Sequence, residues 1–148
     1  MPGLKDRISA DLKEAMKAGD AVRREALRSV LSGFSYRRIE AGHELSETEE
    51  LEVIQKAVKQ RNDSIAEFAR GNRPELVEKE TRERDILLTY LPAQKSEDEI
   101  RALVRQALAS LPEGGRNQGA AMKAVMPQLR GLADGKLVNR IVAEELKN

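Results

Sequence analysis

Four basic residues near the end of the chain have the spacing with the most chemical content. Lys123 and Arg130 stand seven apart, and Lys136 and Arg140 four apart, so on helices each pair shares a face. Gly131 lies between the pairs and lets the chain turn tightly. Within 116–143 the bases are Arg116, Lys123, Arg130, Lys136 and Arg140 against one acid, Asp134, a local net charge of +4. Such a surface can hold phosphates. Cations give affinity for a nucleic-acid backbone without reading its sequence, and backbone N–H groups at the start of the following helix can receive a phosphate. Asp134, as that helix's cap, competes for the same groups. The spacing suits an ordinary solvated helical face equally well, and the sequence leaves both readings open.

A second anomaly lies in the middle of the chain. An apolar seam reads Leu51, Ile54, Val58, Arg61, Ile65, Phe68, with Arg61 where the 3-4 spacing expects an apolar residue. The next segment reads Leu76, Glu80, Glu83, Leu87, Tyr90. Antiparallel pairing about a turn near Asn72 places 61 opposite 83, so Arg61 meets Glu83 in a structural ion pair that sets register; such pairs specify geometry more reliably than they stabilise. Alternatively Lys59-Gln60-Arg61 and Ser64 form part of a binding surface.

Other chemistries are thinly represented. There is no Cys, which removes disulfides, thiolate metal sites and Cys nucleophiles. The one His, His43, sits in the loop-like Ala41-Gly42-His43-Glu44, and zinc or facial-triad iron sites want more such ligands. No P-loop or Gly-rich dinucleotide fingerprint occurs. The carboxylates read as charged helical faces, so no catalytic residue, metal or cofactor is expected. Aromatics are 3% of the chain, which disfavours base-stacking readers of single strands. The net charge of +1 gives no global pull toward nucleic acid. Its distribution is uneven: 17 Lys/Arg against 18 Asp/Glu in 1–92, and 9 against 7 in 93–148. No apolar run approaches the ~20 residues of a membrane span, and the charged start, Met1-Pro2-Gly3-Leu4-Lys5-Asp6-Arg7, has no apolar signal core. Cytoplasmic residence without a membrane partner is the expectation.

The elements that must position these residues are all helical. Charged residues, Ala and Leu dominate, and apolar residues recur at helical rather than alternating spacing. The first helix is expected near 4–17, with Leu4, Ile8, Leu12 and Met16 on one stripe. The second runs near 20–41, with Val22, Ala26, Leu27, Val30, Leu31 and Phe34 apolar, and Gly42 stops it. Ser46-Glu47-Thr48-Glu49 is a capping box that opens a third helix running to about Arg70. Gly71-Asn72 closes it, and Pro74 starts a fourth that runs to about Tyr90. A second capping box, Ser96-Glu97-Asp98-Glu99, opens the fifth. Pro112-Glu113-Gly114-Gly115 is a loop. A sixth helix spans roughly 117–129, where Pro127 should kink or shorten it, and Asp134 caps a seventh. The result is an all-α chain in two parts: a long-helix bundle over 1–92 and a compact three-helix domain over 93–148, hinged near Tyr90-Leu91-Pro92.

Several stretches resemble the YqeY family. They are Asp11-Leu12-Lys13-Glu14-Ala15-Met16-Lys17 with Arg23 and Leu27-Arg28, then Lys59-Gln60-Arg61-Asn62-Asp63-Ser64-Ile65 with Phe68 and Gly71-Asn72-Arg73. Tyr90-Leu91-Pro92-Ala93-Gln94 followed by Ser96-Glu97-Asp98-Glu99 looks like that family's interdomain segment. Arg130-Gly131-Leu132-Ala133-Asp134-Gly135-Lys136-Leu137-Val138-Asn139 is similar to the tail signature that YqeY shares with the B subunit of the tRNA-dependent amidotransferase. Leu132 stands where members often carry a base, and Gly135 where the amidotransferase subunit often has Pro. The resemblance implies a helical N-terminal domain and a tail-like three-helix domain of the kind thought to contact tRNA. It leads to the expectation of a non-catalytic tRNA-associated accessory protein, with Lys123, Arg130, Lys136 and Arg140 on RNA backbone and Gly131 allowing close approach. Two alternatives stay open. One is a component of tRNA-dependent amidation, a carbon–nitrogen ligase with glutamine as amido-N-donor, working with an amidotransferase or other translation-related proteins. The other is a protein-interaction adaptor that presents an exposed apolar patch on its second or third helix.

Overall fold

The computed structural model describes residues 3–148; Met1 and Pro2, the start of the charged N-terminal stretch, lie outside the described residues. The chain is all-α. In order it forms α1 (Leu4–Ala18), α2 (Ala21–Ala41), α3 (Glu47–Arg70), α4 (Pro74–Leu88), α5 (Glu97–Ser110), α6 (Gln118–Leu129) and α7 (Gly135–Leu146). The expected loop at 112–115 instead winds into a short 3-10 turn, Glu113–Gly115. No helix among the described residues is long and apolar enough to cross a membrane.

Local chemistry sets the helix ends. Both capping boxes form: the Ser46 and Ser96 hydroxyls accept from the Glu49 and Glu99 N–H groups at 3.2 Å, and each glutamate accepts back from its serine's N–H. Each cap satisfies a donor the helix would otherwise leave bare, an effect of about 1 kcal/mol. The backbone hydrogen bonds from Ser46 and Ser96 hold the Glu49 and Glu99 carboxyls below the usual range. Asp20 caps α2 by accepting from Arg23 N–H at 3.1 Å. Between α3 and α4 the left-handed residue is Asn72, at φ 56°, while Gly71 keeps a negative φ. Asparagine tolerates that conformation better than most side chains.

The chain divides into two compact units, Met1–Leu91 and Pro92–Asn148. In the first, α3 packs along α4, and α2 lies against α1, α3 and α4. Ile8, Leu27, Val30, Ile54 and Leu87 are fully buried at its centre. The expected α1 stripe needs one correction: Ala15 is buried, whereas Met16 is 51% exposed. At ~100° per residue, three steps of four carry the stripe about 120° away from Leu4, while position 15 returns to within about 20° of it. In α2, Gly33 permits a close approach to α3, since a Cβ there would lie 2.9 Å from Val53 Cγ1.

Tyr90 closes this unit. Its hydroxyl donates to Asp11 Oδ2 at 2.5 Å, Arg23 lies 3.9 Å from the other oxygen of Asp11, and the Arg7 guanidinium sits 5.3 Å from the ring centroid. Burial first, and then the hydrogen bond to Asp11, push the Tyr90 hydroxyl up to about 12. The α4 helix ends at Leu88, but the Tyr90 and Leu91 N–H groups still bond back to Leu87 and Leu88, so the turn runs on to the unit's edge.

The second unit is a triangle in which α5, α6 and α7 each pack on the other two. Its core is wholly aliphatic, with Ile100, Val104, Val125, Leu129, Ile141 and Val142 at or near full burial. Pro127 is accommodated in the last turn of α6. The helix reaches Leu129, and the ladder resumes beyond the proline with Arg130 N–H donating to Met126 O at 2.9 Å.

Candidate nucleic-acid interface

The α6–α7 turn is built from a buried stripe and a glycine. Ala121, Val125 and Leu129 recur every four residues and turn one side of α6 into the core, leaving Lys123 exposed. Gly131 then takes φ 80°, a conformation that costs an L side chain ~1–2 kcal/mol. The Leu132 and Ala133 N–H groups bond back to Leu129 O at 2.9 and 3.1 Å. Asp134 caps α7, accepting from Lys136 N–H at 3.2 Å. In α7, Val138, Ile141, Val142 and Glu145 face inward, and Lys136 and Arg140 stay exposed.

The connecting segment straps this turn down. Gln94 Nε2 donates to Gly131 O at 3.1 Å, and Lys95 N–H donates to Leu132 O at 2.8 Å. Gly131 is buried, so the close approach expected at that residue is taken up by Gln94. The glycine is required for its backbone conformation. The phosphate site imagined at the start of α7 is likewise occupied in part, because Asp134 holds the Lys136 N–H.

The expected cations differ in what surrounds them. Arg130 lies just past the end of α6, with φ −60° and ψ 126°; its N–H still bonds to Met126 O, so its side chain leaves from the helical position seven residues after Lys123, and only the chain beyond it turns away. Arg140 donates to Glu97 at 2.9 Å and to Glu144 at 2.8 Å. It belongs to an ion-pair lattice between α5 and α7. Within that lattice Arg101 reaches Glu97, Glu144 and Glu145 at 3.3, 2.8 and 2.9 Å, and Arg105 reaches Glu145 at 2.5 Å. Hydrogen bonds from Arg105 and then Arg101 hold the Glu145 carboxyl low, and one from Arg101 does the same for Glu144. The hydrogen bond to Glu97 raises the Arg140 pKa and keeps its charge in place.

In the first unit, Arg61 Nε lies 3.7 Å from Glu83 Oε2, with both side chains largely buried. Arg61 Nη2 donates to Ser29 Oγ at 2.9 Å, a partner on α2 that the two-helix register did not include. Arg61 Nε makes no hydrogen bond, so the pair is in Coulombic contact without a close donor–acceptor geometry. Burial raises the Glu83 carboxyl despite the neighbouring guanidinium. His43 is exposed, its Nδ1 2.7 Å from Glu44 O. Among the described residues, no group of three or more His, Cys, Asp or Glu could hold a metal ion.

A family model described as Yqey-like protein matches residues 5–146. Three relatives share the name "Altered inheritance of mitochondria protein 41, mitochondrial". That of Pyrenophora tritici-repentis is 33% identical over 142 residues, covering 93% of this chain and 78% of the relative. That of Lachancea thermotolerans is 39% identical over 109 residues, covering 72% and 58%. That of Kluyveromyces lactis is 41% identical over 109 residues, covering 72% and 59%. The chain therefore spans less than two thirds of the length of two of them. Their mitochondrial naming overturns the expectation of cytoplasmic residence. That expectation rested on the lack of an apolar export core, whereas mitochondrial import reads amphipathic, Arg-rich leaders instead. With nearly its whole length matched, the chain belongs to the YqeY-like family.

Proposed function

We propose that this chain is an accessory RNA-associated protein without chemistry of its own, and that its C-terminal unit holds tRNA backbone through Lys123, Arg130 and Lys136. The observation that supports this most is the strapped α6–α7 turn. It is a fixed loop between two helices, with exposed bases on it and on both flanking helices, in a stretch of net charge +4. Arg140 has a secondary part, because a phosphate would compete with Glu97 and Glu144 for its guanidinium. Contacts of this kind set affinity and orientation without sequence preference.

Titration of labelled tRNA at several salt concentrations tests the reading. Three phosphate contacts predict a log–log slope of about −2 to −3. Lys123→Glu with Lys136→Glu should abolish binding at moderate salt, while Arg140→Gln should weaken it much less. Absence of binding at low salt, or binding indifferent to the double charge reversal, would refute the proposal.

A further inference from the structure

The outward side of α2 carries an uncharged stripe with two large apolar side chains exposed on it. Charged residues make up 34% of the chain, yet Ser32, Ser35, Tyr36 and Ile39 are all exposed and all uncharged. Tyr36 is 78% and Ile39 75% exposed, the two most exposed large apolar side chains among the described residues. Together with Arg28 they fall within about 100° of one another around the helix. Arg28 bounds the patch at one end and Glu40 at the other, and neither has an ion-pair partner among the described residues.

We propose that this face is a self-association surface whose occupant is α2 of a second copy of the chain, packed antiparallel about a two-fold axis near residue 34. A two-fold interface must be self-complementary, with each contact made twice. The α2 face meets that condition. Antiparallel pairing about position 34 sets Arg28 opposite Glu40 of the second copy, and Glu40 opposite its Arg28. The same register sets Tyr36 over Ser32 of the second copy, so a bulky ring meets a small side chain that lets the helices approach. Parallel pairing would instead put Arg28 on Arg28 and Glu40 on Glu40. With two large apolar side chains per copy the interface is small, at the low end of specific contacts, and the dimer forms as a function of concentration.

Sedimentation equilibrium of the full chain from about 1 µM to about 1 mM, the range in which small interfaces are populated, tests the proposal. The apparent mass should rise toward twice the monomer. Ile39→Glu should hold it at the monomer, with helical circular dichroism unchanged. Arg28→Glu and Glu40→Arg should each weaken association by about tenfold or more, since each fault occurs twice, and the double variant should recover it within one chain. The protein has no native cysteine, so Ser35→Cys should form a disulfide-linked dimer faster than the exposed control Ala66→Cys. A monomer at every concentration, a double variant no better than the singles, or equal crosslinking of the two cysteines would each overturn the proposal.

Discussion

Replacing Gly33 with alanine should destabilise the N-terminal unit, and the same replacement should stabilise it once Val53 has been trimmed. Gly33 lies inside α2, where alanine is intrinsically better by about 1 kcal/mol. Against that, the new Cβ would sit 2.9 Å from Val53 Cγ1. A β-branched side chain on a helix has one strongly favoured rotamer and cannot swing clear, and overpacking of this kind costs ~1–3 kcal/mol. The net is a loss of about 1 kcal/mol in the native background. In Val53→Ala the obstructing methyl is gone, so Gly33→Ala should recover its full gain of about 1 kcal/mol. The two backgrounds then differ by about 2 kcal/mol, a coupling typical of residues in direct contact.

Tyrosine fluorescence during thermal unfolding is the assay. Tyr36 and Tyr90 are the chain's two tyrosines, and both belong to Met1–Leu91. The signal therefore reports that unit alone, while circular dichroism reports both. For a domain of this size each kcal/mol moves the midpoint by about 4–8 °C. A Gly33→Ala variant that raises the midpoint, or that shifts it equally in both backgrounds, would mean that α2 and α3 do not meet closely at this point.

Three further outcomes follow from the ionisable groups. Tyr90 has its pKa raised from 10.0 to about 12, so the folded state keeps a proton that the unfolded state releases. Its contribution is intact below pH 10 and is lost as pH rises toward 12. Tyr90→Phe should cost ~1–2 kcal/mol at neutral pH through the lost bond to Asp11, and the alkaline loss of stability should be shallower in the variant than in the native chain when both are followed by chemical denaturation. Glu145 is held below 4.5 by Arg105 and Arg101, so its contribution is present above that value and disappears as pH falls through the lower folded one. Glu145→Gln should therefore destabilise at pH 7 and converge with the native chain in strong acid, as read by circular dichroism; a constant difference across pH would contradict the lattice. Arg61→Glu and Glu83→Arg should each destabilise the first unit, and the combined swap should recover part of the loss. No recovery would mean that Ser29 and burial, rather than charge pairing, set that contact.

Much of the architecture was legible because helix signals are local. The two capping boxes, the Asp20 and Asp134 caps and the left-handed Gly42 each involve residues within a turn of one another, and helices begin or end at them. The Arg61–Glu83 contact was readable because a hairpin fixes register from its turn. The partners that were missed lie far apart in sequence. Arg140 finds Glu97 across 43 residues, Tyr90 finds Asp11 across 79, and Arg61 finds Ser29 across 32. Nothing in local spacing specifies how one helix rotates against another, so a basic residue on an exposed face reads as available when a carboxylate from another helix already holds it. Met16 failed through arithmetic, because a strict four-residue step drifts around a helix whose true period is 3.6.

The α5–α7 lattice gives the two units different responses to heat. Hydration of charged groups becomes less favourable as temperature rises, so the penalty for bringing them together shrinks, whereas the gain from apolar burial levels off. Glu97, Arg101, Arg105, Arg140, Glu144 and Glu145 form a connected set, whereas ion pairs of the first unit such as Arg61–Glu83, Arg23–Asp11, Arg38–Glu44 and Arg73–Glu75 are separate contacts. On warming, a growing share of the second unit's stability should therefore come from its surface. In a calorimetric scan, salt should lower the second unit's transition more than the tyrosine-reported transition of the first.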